Sequence, residues 1–468
     1  MFTRKIFQQF NFKYSILIIS ILWNVQVSAQ QFSKKDVLSD LAYLKHSLEE
    51  THFNPFTYTS KKEFEQNYQA VKKEIQKDSL NLLEVTSLFQ KVISKINNAH
   101  TRIAFPIQPY RAFVQSGGVL FPLEVAIENK KVLIRKNWSN NTTIQTGSEL
   151  KKINGKTISE ILQEIYPYIA AERTYFKNAQ LESFTLPRYY WQVFGEQKSF
   201  EVEIIQNGKA VTYTLDAIQA LEDYERKRDD ILKHNWKLKF LSNSTAYLRP
   251  GAFGGDLNTY KQFIDSSFVE INTKSSKNLI LDLRNNPGGE DTFSDYLVSY
   301  IADKPFKWAS KFELKSSALL KENVRQTKDT TETYWKSTLA HKNGEIYEYN
   351  FDLYKQQPLA KRYQGNVYVL VNRQSYSQST VTAAQIQDYG FGQIVGEETA
   401  EYPNLLASIF AYNLPKTNIK VDIAKGKIHR VNGIENNKGV IPDIYIKDYL
   451  LDETDEILQE LVKKINLK

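Results

Sequence analysis

Two stretches constrain this chain more than any others: Leu279 to Gly289, reading LILDLRNNPGG, and Val367 to Thr399, reading VYVLVNRQSYSQSTVTAAQIQDYGFGQIVGEET. Each is an apolar, β-rich run that breaks into small polar turn residues and then into a helix-like pattern. That layout belongs to α/β folds, whose ligands sit beyond the carboxyl ends of the strands. Ser375, Ser377 and Ser379 lie where the second strand gives way to its helix.

The surrounding pattern agrees. Strands are expected at Ala246 to Arg249, Leu279 to Leu283, Val367 to Val371 and Gln393 to Val395, and helices at Leu257 to Val269, Phe293 to Ile301 and Ser377 to Asp388. The alternation predicts a largely parallel sheet. Ser317 to Tyr363 is polar and Lys-rich and interrupts the pattern, as a lid or surface insertion would.

Upstream, Ser33 and Asp36 make a capping-box-like start for a helix carrying Val37, Leu41, Leu44 and Leu48; Asn81 and Glu84 repeat the device before Val85, Leu88, Phe89, Val92 and Ile96. A helical domain from about Ser33 to Asn98 is expected. From Gly117 to about Leu215 short alternating strands take over, with turns at Asn129-Lys130 and Asn207-Gly208. Between them, Gly147 to Gly155 reads GSELKKING and resembles the PDZ signature of a Gly-led strand ending in an Ile-Asn-Gly turn; a PDZ-like module binds an extended peptide by strand addition.

The first 29 residues read as an export signal. Arg4, Lys5 and Lys13 precede the apolar run Ile16 to Trp23, and Val27-Ser28-Ala29 supplies the small residues of a cleavage site. The run is shorter than the ~20 residues needed to span a bilayer, and no other segment is apolar enough. An exported protein, periplasmic or secreted after cleavage near Ala29, is expected. Net charge is +8, falling to +5 without the leader, with no basic runs interleaved with aromatics, so nucleic acid is not an expected partner. With no cysteine, disulfides and thiolate catalysis are excluded, and a zinc site would need His and carboxylates alone. No metal or organic cofactor is implied.

At the first turn, Arg284 to Gly289 puts two glycines where backbone N–H groups can face an anion; neither the P-loop spacing nor a full GxGxxG is present. At the second, a Ser at a strand-to-helix junction exposes its Oγ, and the next N–H points with the helix dipole toward a developing oxyanion. A plain N-cap serine is the bland alternative.

Together LDLRNNPGG, SYSQST with the following Asp388-Tyr389-Gly390 and Val395 to Thr399, and NGIENNKGVIPD at Asn432 to Asp443 resemble the tail-specific or C-terminal-processing serine peptidases. The resemblance implies a ClpP/crotonase-like α/β catalytic domain at 221–468 with an insertion at 317–363, behind an N-terminal helical domain at 30–105 and a PDZ-like domain at 106–220. It makes Ser377 the nucleophile. One branch of the family pairs this Ser with a Lys 25 residues later, where this chain has Tyr402. The tricorn-like branch uses a His from an N-terminal motif, matched here by His100 in NNAHTR, and a Glu from the closing motif, matched by Glu435. His52 is the competing histidine. The residue before the His is a hydroxyl residue in that pattern and Ala99 here, so Glu435 is expected to reach His100 directly or through water, unless Thr101 substitutes or the relay is broken. The oxyanion hole is expected from the N–H of Gly288, with Gly289 as second choice, together with that of Gln378.

The implied function is hydrolysis of peptide bonds through an acyl-enzyme on Ser377, on unfolded or C-terminal peptide segments. The alternatives are a noncatalytic ligand- or peptide-binding protein on the same fold, and a hydrolase of another ester or amide.

Overall fold

The computed structural model describes residues 30–232 and 236–467; the expected export signal and His234 lie outside them. The centre is a six-stranded sheet in the order Lys237–Ser242, Thr245–Arg249, Asn278–Asp282, Asn366–Val371, Gln393–Gly396, Ile444–Tyr445. All neighbouring pairs run parallel except the first, which is an antiparallel hairpin.

Both faces are covered, which is why these strands are apolar at successive positions rather than alternately. Leu279, Leu281, Val367, Val369 and Val371 face a core shared with helices Leu257–Thr273, Asp291–Ser299 and Gln378–Tyr389. Ile280, Tyr368, Leu370 and Val395 face the C-terminal helix Glu456–Asn466 through its Ile457, Leu461 and Ile465. The result is a three-layer α/β sandwich whose central strands end at the two glycine- and serine-bearing turns.

A second sheet, antiparallel and absent from the sequence expectation, runs in the order Ile346–Glu348, Lys311–Lys315, Lys420–His429, Leu405–Asn413. It stands beside the helix Gln378–Tyr389: Val381 packs with Phe312, Leu405, Ala407 and Ile428. The segment expected as an insertion supplies one strand of this sheet and the helices Ala318–Thr327 and Thr333–Ala340, so it is built into the wall rather than laid over it.

The N-terminal helices Lys34–Thr51, Lys61–Glu74 and Leu82–Ile93 form as their caps require. Ser33 accepts from the Asp36 N–H, and Asn81–Glu84 closes a reciprocal capping box, as does Ser60–Glu63, which the sequence reading passed over. Their core also takes in Val421 and Ile423 of the second sheet and Leu414 and Ile419 of the turn beside it.

Residues 117–220 contain an antiparallel sheet in the order Leu123–Glu128, Lys131–Asn137, Glu149–Ile153, Ser199–Gln206, Lys209–Asp216. Its hairpin turns fall at Asn129-Lys130 and Asn207-Gly208, all four residues at positive φ, the backbone that two-residue hairpins demand. Between strands Glu149–Ile153 and Ser199–Gln206, the Tyr- and Phe-rich stretch Glu172 to Glu196 folds into helices Thr174–Glu182 and Leu186–Phe194.

Candidate active site

Ser377 sits at the end of the turn that follows strand Asn366–Val371, immediately before helix Gln378–Tyr389. Its backbone is at φ 57°, ψ −132°. A β-substituted residue avoids that region, at a cost of order 1–3 kcal/mol, unless its surroundings force it. Here they do. Asn285 and Asn372 lock the two turns together: the Asn285 N–H donates to Asn372 Oδ1 at 3.0 Å, and Asn372 Nδ2 returns a bond to Asn285 Oδ1 at 2.9 Å. Ser375 Oγ donates to the Leu283 carbonyl at 2.7 Å, and the Tyr376 N–H to that of Asn286 at 3.2 Å. Ser375 and Ser379 are thus internal struts, fully buried, while Ser377 lines an open cavity.

His100 arrives from the loop after the helical segment, and its Nε2 lies 2.9 Å from Ser377 Oγ. The ring is 7% exposed. Burial, with a smaller push from the Arg102 guanidinium, drives its pKa down from 6.5 to about 3 and keeps the imidazole neutral, the state able to accept a proton. His52 is a structural residue by its contacts: it is buried, and its Nδ1 accepts from the Asn54 N–H at 3.1 Å.

The carboxylate behind His100 differs from the expectation. Glu435 pairs instead with Lys427 Nζ at 2.7 Å and His429 Nδ1 at 3.0 Å, in a loop more than half exposed. Lys427 and His429 hold it there. Glu401 takes the place beside the ring, its Oε1 3.3 Å from His100 Nδ1, while its Oε2 accepts from the Ser377 N–H. Glu401 therefore touches both partners of the Ser–His pair. Burial and the neighbouring Glu172 carboxylate push its pKa well up.

Glu172 belongs to the β-rich module and holds the His loop by accepting from Asn98 Nδ2 and the Ala99 N–H, each at 3.0 Å. Ala99 thus contributes its backbone. The Thr101 hydroxyl does not substitute for the missing relay group: it donates to Asn98 Oδ1 and accepts from the Ala424 N–H. Arg173, the next residue, grips the opposite loop through Glu398 Oε1 and the carbonyls of Thr399 and Ala400. Tyr402, at the position where a Lys partner would stand, packs its ring 5.2 Å from the Arg173 guanidinium. His100, Glu172 and Glu401 offer ligand atoms within 4.8 Å of one another, the one set among the described residues compact enough to close on a cation.

The oxyanion donors also need correcting. The Gly288 N–H is committed to Asn286 Oδ1 at 2.8 Å. Gly289 and Gln378 line the cavity with Ser377, and among the described residues nothing accepts from either N–H. Gly288 still shapes this space: a Cβ there would stand 2.4 Å from the Gln378 nitrogen, and its φ of +81° is one that other residues rarely adopt.

The cavity, ≈ 590 Å³, is lined beyond Ser377 and His100 by Trp308, Phe312, Tyr334, Tyr349 and Phe351 among others. A strained serine, a neutral imidazole, a buried carboxyl group and two free N–H groups are parts that an acyl-transfer site requires. The sequence profile described as peptidase family S41 matches residues 244–446, which hold both turns and Glu401. Over this segment the chain is similar to peptidase family S41.

The tail-specific protease of Haemophilus influenzae is 26% identical over 276 residues, 56% of this chain and 33% of that protein. The chain thus matches about a third of that relative's length. Among solved structures, mature CPAF complexed with lactacystin aligns over 92% of this chain and 97% of that one, with TM-score 0.63 and 15% identity. Mature CPAF gives TM-score 0.62 and 14% identity over 92% and 96%. At such identities the likeness is one of fold. Among the described residues no helix is long and apolar enough to cross a membrane.

Proposed function

We propose that the protein is an exported serine peptidase that cleaves peptide bonds through an acyl-enzyme on Ser377. The observation that carries this reading is the 2.9 Å approach of His100 Nε2 to Ser377 Oγ, with Glu401 behind the same ring.

In the reaction, Ser377 Oγ attacks the scissile carbonyl as its proton passes to His100 Nε2. The imidazolium so formed lies against Glu401, which offsets its charge and fixes Nδ1 as the protonated nitrogen. The carbonyl oxygen, now negative, receives the N–H groups of Gln378 and Gly289 at the positive end of a helix. Collapse expels the amine, which takes the proton from His100; water, deprotonated by the same ring, then releases the acyl group.

Export rests on the leader pattern of the first 29 residues. The 117–220 module, a small antiparallel sheet with a helix at Ile158–Ile165, supports a PDZ-like role in holding an extended peptide end. Unfolded or C-terminal segments are the substrates this arrangement suits. Purified protein lacking residues 1–29 should cut an unfolded polypeptide into fragments detectable by mass spectrometry, and Ser377→Ala should not. Equal fragmentation by both proteins would refute the reading.

A further inference from the structure

Lys425 has no part in the chemistry above, yet it is 2% exposed, and among the described residues no carboxylate pairs with it. A buried ammonium without a counter-ion is costly and calls for an explanation. It lies on strand Lys420–His429: Ala407 pairs with Gly426 and Ile409 with Ala424, with Ser408 between them at φ 57°. Ser408 stands directly across from Lys425 in a continuous register, and Lys425 Nζ donates to Ser408 Oγ at 2.6 Å and to Tyr334 Oη at 2.5 Å.

Ser408 and Tyr334 both line the cavity that holds Ser377 and His100. Their oxygens are 3.0 Å apart, so one hydroxyl donates to the other. Both accept from Nζ, which leaves the remaining hydroxyl hydrogen directed away from the positive charge. A cation behind two polarised hydroxyls is a receptor for an anion that enters the cavity. Glu290 and Asp291 line the same cavity beside Gly289 and repel such an anion from that part of the wall.

We propose that Lys425, Ser408 and Tyr334 form a subsite that selects a carboxylate of the bound peptide, either an acidic side chain or the free C-terminus. The proposal rests on the peptidase reading, but its test uses binding alone. The Ser377→Ala protein is titrated with two sets of fluorescent short peptides: one differing only in Asp or Glu against Asn or Gln, the other only in a free against an amidated C-terminus. One set should show a preference for the charged form of about tenfold that weakens with salt, and which set does so identifies the source. Adding Lys425→Met should bring that preference to near unity while affinity for the neutral peptides stays within about threefold.

No preference in either set, or a preference that survives Lys425→Met, would overturn the proposal. Should Lys425→Met fail to fold, Ser408→Ala with Tyr334→Phe takes its place and must likewise lower the preference. Selective binding without hydrolysis by the unsubstituted protein would count against the peptidase reading and leave the subsite standing.

Discussion

Glu401 Oε1 lies 3.3 Å from His100 Nδ1, on the ring nitrogen remote from Ser377, and its other oxygen accepts from the Ser377 N–H. One buried carboxyl group thereby lies against the imidazole and ties down the Ser377 backbone.

Glu401→Gln should therefore lower kcat by a factor on the order of 10²–10⁴, because an amide cannot balance the imidazolium. Glu435→Gln should stay within about threefold, since an exposed ion pair with Lys427 contributes little. Steady-state kinetics on one peptide substrate compares the two. The reverse ranking would return the orienting role to Glu435.

Stability should carry the mark of the same pair. His100 binds a proton near pH 6.5 when unfolded and near 3 when folded, so its contribution is present above 6.5 and is lost as pH falls toward 3. Glu401, held well above 4.5, has the opposite sign and loses its contribution as pH rises from 4.5. Denaturant titrations should show the unsubstituted protein losing stability relative to His100→Gln below pH 6.5, and relative to Glu401→Gln above pH 4.5. Curves parallel across these windows would contradict the assignment.

Gly288→Ala should abolish most activity, by about 10²–10³-fold, because the new methyl group meets the Gln378 nitrogen at the oxyanion position. The positive φ also predicts a lower melting temperature. Activity measured well below that temperature separates the two effects. A near-normal rate there would show that the oxyanion does not sit at Gln378.

The paired turns were legible because physics leaves few choices there. A strand buried on both faces is a run of apolar residues, and its end must be turned by glycine, Asn or Ser; Leu279 to Gly289 and Val367 to Ser377 show both. Helix caps at Ser33 and Asn81 were equally plain. The second sheet was not, since Leu405–Asn413 buries Leu405, Leu406 and Ala407 in succession instead of alternating, and the sheet draws strand Lys311–Lys315 from a distant part of the chain. Glu401 carried no local signal: what makes it the partner of His100 is a loop held by Arg173 from another part of the chain. The commitment of the Gly288 N–H to Asn286 is by contrast local, a side-chain bond two residues back that depends on how the turn closes.

Labelling with a fluorophosphonate, which reacts only with an activated serine, tests the central claim most directly. The protein should be labelled on Ser377 between pH 6 and 9, with labelling absent in Ser377→Ala and strongly reduced in His100→Ala. No labelling of the unsubstituted protein, or labelling that persists in Ser377→Ala, would contradict the assignment of Ser377 as nucleophile and His100 as its base.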